Sequence, residues 1–434
     1  MPHLSLSFQD LPVSPLQWKQ QALAWANEYH EVVAYYEPNQ ISCLHGSFQN
    51  LLGIRKKAFG SLVEGIATKW EDLQELKDQS SAVPLMGFLT YDLKNQIEEL
   101  TSKHPDHVGF PELFFFQPEV WLEWLEDSVT IHSVKENPLK IAQAIHSFPF
   151  LASFPENSLK TKPRVQKEMY LQTVEKLRNH ILEGDVYEVN YCQEFYAQEA
   201  VINPLATFWQ LNAASPTPFA GFLKLEHSFL LCASPERFLK KEGSLLISQP
   251  IKGTIQRGVT QELDQDNKQA LASSEKERAE NMMIVDLVRN DLNRICNKGT
   301  VQVEELFGLY GFRYVWQMIS TIIGNVDSAV PVMDILKATF PMGSMTGAPK
   351  VKALELIEEY EQTRRGLYSG SLGYFLPNGD FDFNVVIRSI QYNVQSQYLS
   401  FEVGSAVTYD SDPEQEYQEC LLKAAAITRV LEQK

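Results

Sequence analysis

Cysteine is scarce in this chain, and what there is does not pair. Cys43, Cys192, Cys232, Cys296 and Cys420 are scattered, odd in number and form no CxxC motif. That argues against a zinc site or a disulfide framework and for a reducing, cytoplasmic compartment. Basic residues are outnumbered: 38 Lys and Arg against 55 Asp and Glu give a formal net charge of -17. A surface that acidic repels phosphate backbones, so nucleic acid is not an expected partner. An anionic metabolite would need a local basic pocket or a metal ion. Long apolar runs are missing too. The most apolar stretch, Leu113 to Leu125, is broken by Pro118, Glu119 and Glu123 and is too short and polar to span a membrane. The opening MPHLSLSFQDLPVSP has no basic region followed by an apolar one, so it does not read as a signal peptide. No repeat or low-complexity tract is visible.

What is present suffices for a large core: 434 residues, 44% hydrophobic and 21% charged, a balance that disordered chains lack. The stretch Ser153 to Val165 has neither helical nor strand period. It is expected to link an N-terminal region, 1–152, to a C-terminal functional region, 166–434. A helix is expected over about Gln166 to Glu183, with Tyr170, Val174, Leu177 and Ile181 on one face and Gly184 as its C-terminal cap. Strand-like segments follow at Val186–Phe195, Phe229–Ala233 and Arg237–Lys240, the last turning at Glu242-Gly243 into Leu245–Ser248. Further helices are expected over Glu275–Asn293, Pro349–Tyr360 and from Pro413 to the C-terminus. Phe383–Tyr392 and Tyr398–Thr408 read as paired strands. Strand runs mixed with long helices, without βαβ alternation, predict an α+β fold with a largely antiparallel sheet.

Four groups of residues could carry chemistry. Glu277 and Glu280 share a helix face, and Glu416 and Glu419 repeat the spacing on the last helix. Two such faces meeting would make an oxygen-rich site for a hard cation such as Mg²⁺. Each pair alone is far more often an ordinary solvent face, since Glu419 and Lys423 are i,i+4 and acids suit a first helical turn. The turn Pro341 to Lys350, PMGSMTGAPK, offers two glycines, the hydroxyls of Ser344 and Thr346 and a following helix N-terminus. It suits a carboxylate, or is a plain loop-to-helix junction. Ser234-Pro235-Glu236 and Pro250-Ile251-Lys252-Gly253-Thr254 lie at strand ends. There Glu236 and Lys252 can serve as acid and nucleophile if burial shifts their pKa values, or else be solvated turns. Arg388 lies in an apolar strand and needs a partner, either a ligand carboxylate or a structural ion pair. Gly404-Ser405-Ala406 can add backbone N–H groups beside the same anion.

From Tyr170 to the C-terminus, the ordered segments GDVYEVNY, ASPERF, PIKGT, EKERAENMMIVDLVRNDL, GSMTGAPKVKALELIEE, RGLYSGSLGYF, IRSI and DSDPEQEYQECLLKA resemble the chorismate-utilising enzymes. That family comprises anthranilate synthase large subunits, aminodeoxychorismate synthases, and isochorismate and salicylate synthases. The resemblance implies two packed antiparallel sheets wrapped by helices, with a cleft between them. It implies that Glu280 and Glu419 ligate Mg²⁺ directly, with Glu277 and Glu416 outside them through water, and that the ion holds the ring carboxylate of chorismate. It places Tyr368, Arg388 and Lys423, with backbone near Gly404 and Ala406, around the enolpyruvyl carboxylate. The same resemblance implies that Thr346 lines the pocket and that Glu236 protonates the departing C4 hydroxyl.

Lysine in PIKGT, where anthranilate synthases carry PIAGT, resembles the aminodeoxychorismate synthase branch. There Lys252 would attack C2, ammonia would follow at C4, and the product would keep its enolpyruvyl group. The chain shows no fused glutaminase, so a separate glutamine amidotransferase subunit is the expected ammonia source. Water-adding relatives carry Lys where this chain has Glu188, and a His is frequent at the position of Gln317. The usual Gly-Ala-Gly is here Gly404-Ser405-Ala406. The Leu-Leu-Glu-Ser stretch of tryptophan-sensing relatives is replaced by Val32–Asn39, VVAYYEPN. Two other readings stand beside this one: an anthranilate synthase large subunit with an unusual lysine, and a non-catalytic chorismate-binding regulatory partner.

Overall fold

Strand Val32–Glu37 is apolar at five consecutive positions and buried throughout, the mark of a strand covered on both faces. The computed structural model, which describes residues 1–58, 65–79, 82–149 and 157–432, shows what covers it. Val33 and Tyr35 join a core with Trp18, Tyr170 and Phe208, contributed by helices. Val32, Ala34 and Tyr36, one residue out of phase, join a second core with Phe88, Leu372 and Tyr374 of another sheet. A third core lies under the far side of that sheet, where Ile284, Val285 and Leu336 of two helices meet Leu239, Leu246 and Ile322. The layers are therefore helices, sheet, sheet, helices, an α+β architecture of two packed antiparallel sheets.

The larger sheet has twelve strands and the smaller ten. Strands from both sides of the 153–165 stretch share each sheet: Val32–Glu37 pairs with Phe219–Leu225, and Leu85–Leu89 with Ser371–Phe375. Of that stretch, 153–156 lie outside the described residues. The remainder packs down: Asn157 is buried and donates to Thr207 Oγ1 at 3.1 Å, and Lys162–Pro163 forms a short strand on Phe195–Tyr196.

Local signals explain where the helices begin and end. Lys167–Glu183 buries Tyr170, Val174 and Leu177 and stops at Gly184, which has φ 87°, a left-handed conformation open to glycine. Glu275–Asn293 starts at Ser274, whose hydroxyl accepts from the Glu277 N–H at 3.3 Å. Lys350–Tyr360 follows Pro349, and Pro413–Glu432 follows Asp412, which accepts from the Gln415 N–H at 3.0 Å.

One expected element is corrected. Phe383–Tyr392 is not a single strand. Phe381–Asn384 belongs to the smaller sheet and Ser389–Asn393 to the larger, where Gln391 pairs with Ser400. Between them the chain crosses from sheet to sheet, turning at Arg388 with φ 51°. Arg388 thus lies in a crossing, not in a strand. Ser234-Pro235-Glu236 makes the other crossing, from Ser228–Ser234 in the larger sheet to Arg237–Glu242 in the smaller. The two crossings run side by side: the Val385 N–H donates to Glu236 O at 3.0 Å, and Ser234 Oγ to Val385 O at 2.5 Å.

Candidate active site

Glu236 and Arg388 sit in these crossings, where a residue belongs to neither ladder and its side chain is free of the alternation that a sheet imposes. Glu236 is only 4% exposed. Burial pushes its carboxyl up to about 7, although the hydroxyl of Ser344, donating at 2.6 Å, and the charges of Lys252 and Lys423 pull the other way. Glu236 is therefore partly protonated at neutral pH, as an acid for a leaving hydroxyl needs to be.

Lys252 reaches the cleft from strand Ile251–Gln256. Its amine donates to Glu188 Oε1 at 2.8 Å and lies 3.7 Å from Glu280 Oε2. Burial alone would lower its pKa, but Glu188, Glu280 and Glu419 together hold it above the ordinary lysine value. The lowering that a nucleophilic amine needs is absent from this arrangement: Lys252 is a charged, ion-paired group. Gly253 beside it has φ 101°, and a Cβ there would stand 3.1 Å from Glu277 Oε2. The left-handed backbone favours glycine there, and a side chain would also press on Glu277, Met318 and Leu271.

The acidic pairs face one another across the cleft. Burial raises the carboxyl of Glu280 to about 7, with Glu188 and Glu277 adding to the rise and Lys252 opposing it. Burial, then Glu419, also raises Glu277. Glu419 is lowered, chiefly by Lys423 at 2.7 Å. Glu416 is 2% exposed and accepts from Ser411 Oγ at 2.8 Å. Lys276 stands between the helices, 3.8 Å from Glu280 and 3.8 Å from Glu416. No three of the four glutamates bring carboxylate oxygens within 4.8 Å of one another. Among the described residues only His180, Glu183 and Asp185 do so, and both ring nitrogens of His180 are engaged, by Asp185 and Tyr360. Glu280 Oε1 is nonetheless buried without a hydrogen-bond partner. A buried carboxylate oxygen that no donor satisfies, in a set of hard oxygen ligands, fits a magnesium ion.

The residues expected around a ligand carboxylate form a connected set. Arg388 is half-buried, and no carboxylate of the described residues lies within 4.0 Å of it. Burial lowers its pKa and Tyr368 opposes that. Cys192 Sγ lies 3.8 Å from the Tyr368 hydroxyl, and a Cβ at Gly404 would collide with that sulfur. Lys423 donates to Gly404 O at 2.8 Å, and Ala406 follows two residues along the same strand, buried. Thr346 is fully buried, its hydroxyl spent on Met342 O and Gly343 O of its own turn.

The sequence reading did not single out Lys276 or the use of Glu188 as partner of Lys252. Lys276 and Glu280 are i,i+4, which is a legible ion-pair signal. Glu188 opens the buried strand Glu188–Ala197, and a buried acid needs a partner, as Arg388 does. Gln317 buries its side-chain oxygen without a partner.

An acid, an amine, paired carboxylates and a guanidinium with no carboxylate partner among the described residues are the groups that a small anionic metabolite would call for. Residues 30–429 match the chorismate binding enzyme family. Aminodeoxychorismate synthase component 1 of Bacillus subtilis is 34% identical over 362 residues, 80% of this chain and 76% of that one. Anthranilate synthase component 1 of Thermus thermophilus is 33% identical over 360 residues, 80% and 77% of the two chains. The crystal structure of anthranilate synthase component I from Streptococcus pneumoniae superposes with a TM-score of 0.75 at 25% identity, covering 99% of this chain and 92% of that one. The chain belongs to the chorismate binding enzyme family and is a chorismate-utilising enzyme. Among its described residues no helix is long and apolar enough to cross a membrane.

Proposed function

We propose that the chain is the synthase component of an aminodeoxychorismate synthase, which converts chorismate and ammonia to 4-amino-4-deoxychorismate. The observation that carries this reading is Lys252, an amine in the cleft beside Glu188 and close enough to Glu236 for their charges to interact. An alanine there, as in PIAGT, would leave no group to attack the ring.

Lys252 first gives up a proton, and Glu188 Oε1 at 2.8 Å is the acceptor within reach. The freed Nζ forms a bond to C2, the ring double bonds shift, and the C4–O bond breaks. Glu236 supplies the proton with which the hydroxyl leaves as water. Ammonia then bonds to C4 and passes a proton to Glu236. The double bonds shift back, the C2–N bond breaks, and Lys252 recovers its proton from Glu188. Chorismate and ammonia have become aminodeoxychorismate and water. Arg388, Tyr368 and Lys423, with backbone at Gly404 and Ala406, orient the enolpyruvyl carboxylate, and Thr346 shapes the turn that presents Ser344. Glu280 and Glu419, with Glu277 and Glu416 behind them, would hold a magnesium ion whose charge anchors the ring carboxylate. The ammonia comes from a separate glutaminase subunit in a cytoplasmic complex.

The test is the product. Chorismate, Mg²⁺ and ammonium salt should yield aminodeoxychorismate by liquid chromatography and mass spectrometry, with no pyruvate. Anthranilate with stoichiometric pyruvate would assign the chain to the C2-aminating branch instead.

A further inference from the structure

Strand Ile251–Gln256 does not pair evenly with its neighbour Val315–Asn325. Ile251 faces Ile319 and Thr254 faces Gln317, so Lys252 and Gly253 together stand opposite Met318 alone. This is a β-bulge, which takes two residues out of the ladder and re-aims a side chain. On the other side of Val315–Asn325, strand Gln302–Gly311 also loses register, between Glu305 and Gly308, and Phe307 there has φ 59°. Two irregularities thus flank one strand, and both leave backbone groups outside the ladder.

Asn281 serves both. It is 1% exposed, on the helix Glu275–Asn293, directly after Glu280. Its Nδ2 donates to Lys252 O at 3.2 Å and to Met318 O at 3.4 Å. Its Oδ1 accepts from Ser320 Oγ at 2.6 Å, and that hydroxyl accepts in turn from the Phe307 N–H at 3.1 Å. Every polar atom of the Asn281 side chain is used, in a fully connected buried chain that fixes its amide one way round.

We propose that Asn281 is the positioning residue of this cleft, holding the Lys252-Gly253 bulge so that the Lys252 amine points at the ring carbon it attacks. The same side chain ties the strand that carries Lys252 to the helix that carries Glu277 and Glu280. One amide therefore sets the distance between the amine and the acidic helix. The proposal rests on Lys252 as the attacking group. Asn281 touches no substrate and moves no proton.

The experiment uses the full chain with chorismate as probe. The rate of adduct formation on Lys252 without ammonia, and steady-state kcat and chorismate KM with ammonium salt, are measured for wild type, Asn281→Ala and Ser320→Ala. Rates are normalised to folded sites counted by chorismate binding. Asn281→Ala should slow the adduct and kcat by about 10- to 100-fold, the scale of a small misplacement of a reacting group, and leave KM within about twofold. Ser320→Ala, which keeps the amide but removes what orients it, should show the same split more weakly and carries the test should Asn281→Ala fail to fold. Loss of folded protein with normal rates per folded site would reduce Asn281 to a structural residue and overturn the proposal. So would unchanged rates in a folded Ser320→Ala where Asn281→Ala is unfolded. Absence of any adduct in the wild type would instead refute Lys252 as nucleophile, an outcome separate from these.

Discussion

Ser344→Ala should extend turnover to higher pH. The Ser344 hydroxyl donates to Glu236 Oε1 at 2.6 Å and favours the ionised form, against the burial that drives the carboxyl up to about 7. A hydrogen bond to a charged group contributes about 1.5–3 kcal/mol, and one pKa unit is about 1.4 kcal/mol. Losing it should raise Glu236 by about 1–2 units further. The acid must be protonated when the hydroxyl leaves, so activity falls as pH rises through its pKa. In Ser344→Ala that fall should begin about 1–2 units later. The assay is kcat at saturating chorismate against pH, with free ammonia held constant. A fall at the wild-type pH, or an earlier one, would refute Glu236 as the acid. The same group gives a stability signature. Its folded pKa lies above its ordinary value of 4.5. Its contribution is therefore present in full below about pH 4.5 and lost as pH rises through about 7, some 3 kcal/mol over that window. Glu280 titrates in the same range. The quantity to compare is accordingly the difference between wild type and Glu236→Gln in urea unfolding, which should favour the variant above pH 7.

Other outcomes follow from the same cleft. Glu280→Gln should weaken magnesium binding, read directly by calorimetric titration of the protein with Mg²⁺, because removing one carboxylate from a small divalent site costs much of its affinity; wild-type affinity in that variant would remove Glu280 from the ligand set. Chelation with EDTA should stop turnover, and added Mg²⁺ should restore it. The purified chain should aminate chorismate with ammonium salts and fail with glutamine until a glutaminase subunit is added; robust glutamine-dependent turnover by the chain alone would contradict that. Millimolar tryptophan should leave steady-state rates unchanged, since Val32–Glu37 is a buried central strand without the Leu-Leu-Glu-Ser stretch, and clear inhibition would refute this.

The helices were legible because their ends carry local chemistry. Gly184, Ser274 and Pro349 mark boundaries that the structure places within one residue of the expected ones. The strand misread over Phe383–Tyr392 had no such mark. Its apolar run continues unbroken through the sheet crossing, and the turn is made by Arg388 in a left-handed conformation, to which an arginine gives no clue. The bulge at Lys252-Gly253 is likewise a matter of register against Met318, which depends on a partner strand some 65 residues away in sequence. Glu236, Lys252 and the glutamate pairs could be picked out by type and spacing. That Lys252 is ion-paired with Glu188, and that Ser344 holds Glu236, are tertiary facts, because four separated segments meet there.

The central claim is that Lys252 forms and breaks a bond to chorismate. Wild-type protein should be mixed with chorismate and Mg²⁺, without ammonia, then acid-quenched and digested. Mass spectrometry of the peptide holding Lys252 should show the mass of chorismate less water, lost when ammonium salt is added and absent in Lys252→Ala. An unmodified Lys252 peptide throughout, together with aminodeoxychorismate made by Lys252→Ala at the wild-type rate, would contradict it.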